Sequence, residues 1–249
     1  MRCCFARRAT DEHRFFIASL DQRTMVDGLD IPDILDRVAI LGFFGLTTDK
    51  TQLAVSLLFL LQILTNYFFM IILTAGHTGA GTGAQCAETH FDEGAENIWL
   101  RNRIAEILTN KYNLIVLIDE DNASLSLVTK QINKNATSKD IVIDLHFNAH
   151  PNPQARGAET IVSDDATTLE LRFATRLAHV TADALDIPLR SIKSESKTPH
   201  RRLAMLHLTP QSIILEVCFC TSPEDVEQYR RHRRKIASTI ARTIAELIE

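Results

Sequence analysis

Two kinds of hydrophobic pattern divide this chain near residue 70. Residues 51–73 form an uncharged, mostly apolar run. Farther along, short apolar runs rich in β-branched residues alternate with longer segments in which apolar residues recur every three or four positions. The short runs predict strands at 70–75, 113–118, 140–146, 158–163 and 212–219. The longer segments predict helices at about 94–110, 123–133, 166–184 and 223–248.

The alternation of strands and helices is typical of an α/β domain, in which helices cover a largely parallel sheet. The first predicted helix has an apolar stripe that would face such a sheet, formed by Ile98, Leu100, Ile104, Ile107 and Leu108. We therefore predict a single α/β domain over residues 70–249 with a mostly parallel, twisted sheet flanked by helices. An apolar N-terminal segment precedes it.

Residues 1–69 are predicted to be an N-terminal leader. An uncharged stretch of about 18 residues or more is a candidate transmembrane helix. Here it covers 53–69, because residues 70–75 belong to the first strand. Three interpretations stay open: a signal-anchor, a buried accessory helix, or upstream sequence joined to a domain that naturally starts at Met70. Lys and Arg residues precede the run and none follows before Arg101, so an anchor would place the remaining chain outside the cytoplasm.

The overall composition excludes some classes of protein. Hydrophobic residues make up 45% of the 249 residues and charged residues 23%, so extensive disorder is not expected. The formal net charge of -4 gives no reason to expect a nucleic acid as partner. The five cysteines are irregularly spaced and predict neither a zinc ribbon nor a disulfide framework.

Histidine and carboxylate side chains occur where predicted strands and helices begin or end. His77 follows the first strand, His146 ends the strand at 140–146, and Glu93 begins a helix. Ligands of α/β sheets gather beyond the carboxyl ends of the strands, so these side chains are expected to meet. Two imidazoles and a carboxylate suit a zinc site with an open fourth position. Glu216, which follows an apolar run, is a candidate general base.

Six short motifs follow one another between residue 70 and the C-terminus. They are Gly76-His77, Gly83-Ala84, Glu93, His146-Phe-Asn148, Gly157-Ala-Glu159 and Glu216-Val-Cys-Phe219. In this order they resemble the zinc-dependent N-acetylmuramoyl-L-alanine amidases, a family that includes bacterial cell-separation amidases and many phage endolysins. That family has a strand ending in Gly-His, a Gly-rich loop, a Glu that begins a helix, a Ser-x-His-x-Asn motif, a Gly-x-Glu strand and a strand ending in Glu-x-x-Phe.

Two positions depart from the family pattern. The chain has Thr74-Ala before Gly76 where the family often has Asp-Pro, and Asp144 where the family has Ser two residues before the second His. Neither change removes a ligand. Glu96 is an alternative carboxylate ligand, but the apolar register of the following helix favours Glu93.

The resemblance implies an enzyme that holds Zn²⁺ through His77, Glu93 and His146 and uses Glu216 as its catalytic residue. Zinc would polarise the amide carbonyl, and Glu216 would take a proton from water and deliver it to the leaving amine. Further candidates for substrate binding are Asn148, Arg190, Arg201 and Arg202. For the three arginines, solvated surface charge is an equally good interpretation.

We therefore expect hydrolysis of the amide bond between N-acetylmuramic acid and L-alanine in peptidoglycan, by a monomer acting at the cell wall, in the periplasm or outside the cell. The membrane would be a second partner if 53–69 is an anchor; otherwise the protein would stay in the cytoplasm until released. Two alternatives remain. One is another zinc amide hydrolase acting on acylated amino acids or peptides, and the other is a non-catalytic, membrane-anchored wall-binding protein.

Overall fold

The structure of the chain is a computed structural model that describes residues 16–17, 69–77, 79 and 82–248. The strands are β1 (Phe16–Ile17), β2 (Ile71–Ala75), β3 (Gln85–Cys86), β4 (Phe91–Asp92), β5 (Val116–Ile118), β6 (Ile141–Asn148), β7 (Ala158–Val162), β8 (Leu189–Ser194) and β9 (Gln211–Phe219). The α-helices are α1 (Glu93–Tyr112), α2 (Leu125–Asn135), α3 (Thr168–Leu185) and α4 (Pro223–Ile248).

The main sheet has the strand order β1-β5-β2-β6-β9-β7-β8. Strands β5, β2, β6 and β9 run parallel to one another. Strand β7 is antiparallel to β9, β8 is parallel to β7, and the two-residue strand β1 is antiparallel to β5. The predicted α/β domain with a mostly parallel sheet is confirmed.

The two faces of the sheet are covered by different helices. Ile71 and Leu73 of β2 belong to a large buried cluster with residues of α1, α3 and α4, whereas Ile72 lies in a second cluster with Val128 and Ile132 of α2. Successive side chains of a strand point to opposite faces, so a run of apolar residues is needed where both faces are buried. This explains why the central strands show no alternation with polar residues.

Apart from β1, the described elements differ from the prediction at three places. Strand β8 was not predicted, because Leu189–Ser194 lies at the edge of the sheet and its first three residues are exposed. The strand expected at 113–118 begins only at Val116, because α1 continues to Tyr112 and Asn113 ends it in a left-handed conformation (φ 54°). The short hairpin β3–β4, which precedes α1, was also not predicted.

The predicted transmembrane helix at 53–69 lies outside the described residues, apart from Phe69. Among the residues that the structure describes, no helix is both long and apolar enough to cross a membrane. Strand β1 lies within the predicted leader, yet it pairs with β5 at the edge of the sheet. The boundary at residue 70 stays a prediction.

Candidate active site

The three predicted metal ligands lie together beyond the carboxyl ends of the central strands. His77 follows β2, His146 lies near the end of β6, and Glu93 is the first residue of α1. Their ligand atoms are all within 4.8 Å of one another. Glu93 Oε2 is 3.6 Å from His77 Nε2, and Glu93 Oε1 is 3.3 Å from His146 Nδ1. This group of side chains could hold a metal ion.

The types of donor atom and their proximity suit a zinc ion. Zinc binds nitrogen and oxygen at about 2.0–2.2 Å, so two ligands of one tetrahedral ion lie about 3.3–3.6 Å apart. Glu93 faces both imidazoles at such distances, but with a different oxygen toward each: Oε2 toward His77 at 3.6 Å and Oε1 toward His146 at 3.3 Å. Two His and one Glu also form the donor set of catalytic zinc sites that keep a fourth position open. The residues present therefore fit this metal.

Glu93 is held in place by backbone hydrogen bonds. Its Oε2 accepts from Ala84 N at 2.7 Å, and its Oε1 accepts from Phe147 N at 3.1 Å. Burial by itself raises the pKa of Glu93, but the hydrogen bonds with His146 and Ala84 and the charge of the imidazoles lower it below its usual value. The side chain is thus kept ionised, as a metal ligand must be.

Two glycines allow the backbone to pass close to this cluster. A Cβ atom at position 76 would lie 2.0 Å from His146 Nε2. Gly83 has a φ of +73°, and a Cβ atom there would lie 2.6 Å from Glu93 Oε2. Glycine is therefore required at position 76 by the space that His146 occupies, and at position 83 by the backbone conformation as well.

Asp144, noted in the sequence only as a departure from the family pattern, contacts the candidate ligand His146. Its Oδ2 lies 3.1 Å from His146 Nε2, and its Oδ1 accepts a hydrogen bond from Thr74 Oγ1 at 2.7 Å. Burial lowers the pKa of the His146 imidazole, but the carboxylates of Asp144 and Glu93 outweigh it and raise that pKa well above its usual value. Both carboxylates therefore act on the same ring.

Glu216 lies in the middle of the candidate site. It is the cross-strand neighbour of His146 on β6 and of Glu159 on β7. Part of its side chain reaches the surface of a cavity, but Oε2 is buried and has no hydrogen-bond partner in the described part of the chain. Burial raises the pKa of Glu216 to about 7; His146 opposes this shift, and carboxylates including Glu93 and Glu159 add to it.

Glu159 organises one wall of the site, a role that the sequence motif alone did not reveal. It is almost fully buried, and it accepts hydrogen bonds from Asn148 Nδ2 at 2.8 Å, Lys193 Nζ at 2.9 Å and Arg190 Nε at 3.0 Å. The guanidinium of Arg190 also lies 5.0 Å from the centre of the Phe219 ring. Two of the predicted substrate-binding residues, Asn148 and Arg190, are therefore held by the same carboxylate.

A cavity of about 350 Å³ opens over these side chains. Its polar lining comprises His77, Glu93, His146, Asn148, Glu159, Lys193, Thr198, His200 and Glu216. Lys193 and His200 were missed in the sequence, because one lies on the unpredicted strand β8 and the other in the loop after it. Arg190, Arg201 and Arg202 are not among the described residues that line the cavity, and their role in substrate binding stays a prediction.

A larger, shallower hollow between α3 and Leu247 contains none of the predicted site residues.

Comparison with known proteins identifies the family. A family model described as N-acetylmuramoyl-L-alanine amidase matches residues 71–246. The chain belongs to this amidase family. No curated protein sequence matches the chain. As the motifs predicted, it is an enzyme, and the reaction of its family is the cleavage of peptidoglycan amides.

Solved structures of amidases share the fold. One from Neisseria meningitidis, assigned as an N-acetylmuramoyl-L-alanine amidase, is 26% identical, with a TM-score of 0.61; the match covers 72% of this chain and 96% of that one. An N-acetylmuramoyl-L-alanine amidase from Clostridium difficile 630 is 21% identical, with a TM-score of 0.60 and coverage of 73% and 95%. The catalytic domain of the CD27L endolysin, which targets Clostridia difficile, is 22% identical, with a TM-score of 0.56 and coverage of 72% and 96%.

Proposed function

We propose that this amidase is zinc-dependent and hydrolyses the amide bond between N-acetylmuramic acid and L-alanine in peptidoglycan. His77, Glu93 and His146 would hold the zinc, and Glu216 would be the general base. The observation that carries this proposal is the convergence of two imidazoles and a carboxylate beside the buried, unpaired Oε2 of Glu216.

The side chains of the site have separate tasks in this proposal. Zinc, when bound, supplies a Lewis acid that polarises the scissile carbonyl. Glu216 takes a proton from the attacking water at its unpaired Oε2 and delivers that proton to the leaving amine of L-alanine. Burial raises the pKa of Glu216 in the metal-free chain, and a general base works best when its pKa lies near the working pH.

The cationic side of the cavity would hold the stem peptide of the substrate. Lys193 lines the cavity and can attract carboxylates of the peptide, while His200 and Asn148 offer hydrogen-bonding groups beside it. Glu159 fixes Lys193 and Asn148 by direct hydrogen bonds. Arg190, Arg201 and Arg202 would contact only those parts of the substrate that extend beyond the cavity.

The enzyme would act at the cell wall. We propose peptidoglycan as its partner and a monomer at the cell wall as its working form. Residues 1–69 would form a leader separate from the catalytic domain 70–249, and the segment 53–69 would contact the membrane if it is an anchor.

The metal assignment is tested with His146→Ala and His77→Ala. We expect each variant to lose its bound zinc and its activity on purified cell-wall material together, because a three-ligand site rarely tolerates the loss of one ligand. His179→Ala, which removes an exposed imidazole of α3, is the matched control and should keep both. One tightly bound zinc per chain in the His146→Ala protein would refute the assignment.

The bond that is cut is tested by mass spectrometry of the digestion products. Cleavage at the proposed bond leaves a free sugar lactyl carboxylate and a peptide that begins with L-alanine. A zinc-loaded protein that cleaves acylated amino acids but not muropeptides would instead favour another amide hydrolase. Binding to cell walls without any product would indicate a non-catalytic protein.

A further inference from the structure

The His146 ring lies between two carboxylates, one at each of its nitrogens. Nδ1 is 3.3 Å from Glu93 Oε1, on the side of the ring where the candidate ligands converge. Nε2 is 3.1 Å from Asp144 Oδ2, on the opposite side. Asp144 and His146 are two residues apart on β6, so their side chains point to the same face of the sheet. The sequence spacing itself therefore creates this contact.

Asp144 is in turn held by the neighbouring strand. Its Oδ1 accepts from Thr74 Oγ1 at 2.7 Å, and Thr74 is its directly paired residue on β2. Only 2% of Asp144 is exposed. With one oxygen bonded to Thr74 and the other to His146, the carboxylate cannot rotate without losing a buried hydrogen bond. Its acceptor is thus presented to Nε2 in a fixed orientation.

A fixed acceptor at Nε2 determines which nitrogen of a metal-bound imidazole carries the proton. Glu93 is also an acceptor, at Nδ1, so the metal-free ring can donate a proton at either nitrogen. When Glu93 binds the metal, Asp144 still accepts from Nε2, and the lone pair of Nδ1 is left for the metal. A serine, which the family pattern has at this position, has a hydroxyl that can either donate or accept, and it imposes no such choice. Carboxylate–histidine pairs of this kind orient metal-binding imidazoles and strengthen them as ligands.

We propose that Asp144 is a positioning residue that holds His146 with Nδ1 directed toward the metal, a role that rests on the proposed zinc site. Asp144 acts through His146 and does not itself bind the metal or the substrate. The departure from the family pattern then has a function. The Asp144 carboxylate fixes which nitrogen of His146 faces the metal, whereas a serine hydroxyl would leave this undetermined. Thr74 supports Asp144 from the adjacent strand.

The test is to measure zinc affinity in the full-length protein, by competition with a chromophoric chelator, for Asp144→Asn and Asp144→Ser. We expect the dissociation constant for zinc to rise by about 10–100-fold, the usual effect of losing such a partner. Thr74→Val should cause a smaller rise, because the carboxylate remains but is less firmly held. The Ser variant keeps the test valid if the Asn variant does not fold.

Asp140→Asn is the matched control, because Asp140 is also a buried carboxylate next to β6, and it bonds Met70 N and Thr137 rather than a histidine. It should lower thermal stability without changing zinc affinity. A purely structural role of Asp144 would give the same result as this control. Zinc affinity of Asp144→Asn and Asp144→Ser within about threefold of wild type would therefore overturn the proposal.

The nitrogen that carries the proton is observed directly by ¹⁵N NMR of histidine-labelled, zinc-loaded protein. We expect His146 of the wild type to be protonated at Nε2 and metal-bound at Nδ1. Metal bound at Nε2 would overturn the role of Asp144 while leaving the zinc site intact. If the wild type binds no zinc at all, the proposed function fails as well, so the two failures are distinguished.

Discussion

Glu216 and Asp225 are two carboxylates at either end of the connection from β9 to α4, and their surroundings are opposite. Asp225 is fully buried, with Oδ2 accepting from Gly157 N at 2.7 Å and Phe219 N at 3.1 Å. Its Oδ1 accepts from Arg156 Nε at 3.0 Å. Glu216, in contrast, has a buried oxygen without a hydrogen-bond partner among the described residues.

This difference separates a carboxylate that supports the fold from one that is available for chemistry. Hydrogen bonds to a buried, charged acceptor stabilise the folded state, and a buried oxygen without a partner destabilises it. Asp225 ties the start of α4 to the segment before β7 and to the end of β9. The unpaired oxygen of Glu216 is retained at a cost in stability, which is expected where a proton has to be accepted.

Glu216→Gln should have the largest effect on activity. The variant keeps the shape of the side chain but cannot accept the proton, so the turnover number should fall by roughly 10²–10⁴-fold. Zinc content and the circular dichroism spectrum should remain those of the wild type. Near-normal turnover on cell-wall material would mean that another group takes the proton.

Asp225→Asn should lower stability instead. Two backbone N–H groups and Arg156 would lose a charged acceptor, and we expect the free energy of unfolding to fall by about 2–4 kcal/mol in urea titrations. Turnover per folded molecule should be unchanged. Glu224→Gln is the control, because it removes only the exposed partner of Arg156 and should cost less than about 1 kcal/mol. A loss of turnover without a loss of stability would contradict the comparison.

Glu216 should also make the stability of the folded protein depend on pH. In the metal-free protein its pKa is about 7, above the usual 4.5, so its contribution to stability is fully present below 4.5 and is lost as pH rises through 7. Wild type should therefore lose about 1–3 kcal/mol relative to Glu216→Gln between pH 5 and pH 8. Urea unfolding of the metal-free wild type and of metal-free Glu216→Gln at pH 5 and pH 8 measures this difference in stability. If the stability of the two proteins changes equally between these pH values, the pKa of Glu216 is not raised.

The smallest effect is expected from removing residues 1–69. Both carboxylates and their partners lie within 70–249, and the pairing of β1 with β5 concerns only the edge of the sheet. The fragment 70–249 should fold, bind zinc and cleave cell walls like the full chain, measured side by side. If the fragment is insoluble while the full chain is soluble, the run at 53–69 is a core helix and the domain boundary is wrong.

The pattern of apolar residues predicted the central strands and all four described helices, because these elements bury one or both faces. Strand β8 was not predicted because it lies at the edge of the sheet. Lys193, which lies on this strand and lines the cavity, was therefore missed as well. His77, Glu93 and His146 could be chosen because ligands gather beyond strand ends, and the structure does bring them together.

The contacts between separate motifs could not be predicted. Glu159 and Glu216 were each recognised in a motif, but their pairing depends on β9 lying between β6 and β7, in an antiparallel arrangement with β7. Sequence periodicity shows which residues form a strand and does not show which strands are neighbours. The hydrogen bonds that Glu159 makes to Asn148 and Lys193 follow from that order.

The position of β9 also links the assembly of the sheet to the assembly of the candidate site. Among the described strands β9 comes last in the sequence, yet it fills the space between β6 and β7, so β7 and β8 cannot join the sheet before it. It also carries Glu216, the proposed base. A nascent chain that ends before Gln211 can hold the three candidate ligands but has neither a closed sheet nor a base. Completion of the sheet and completion of the proposed site therefore depend on the same late strand.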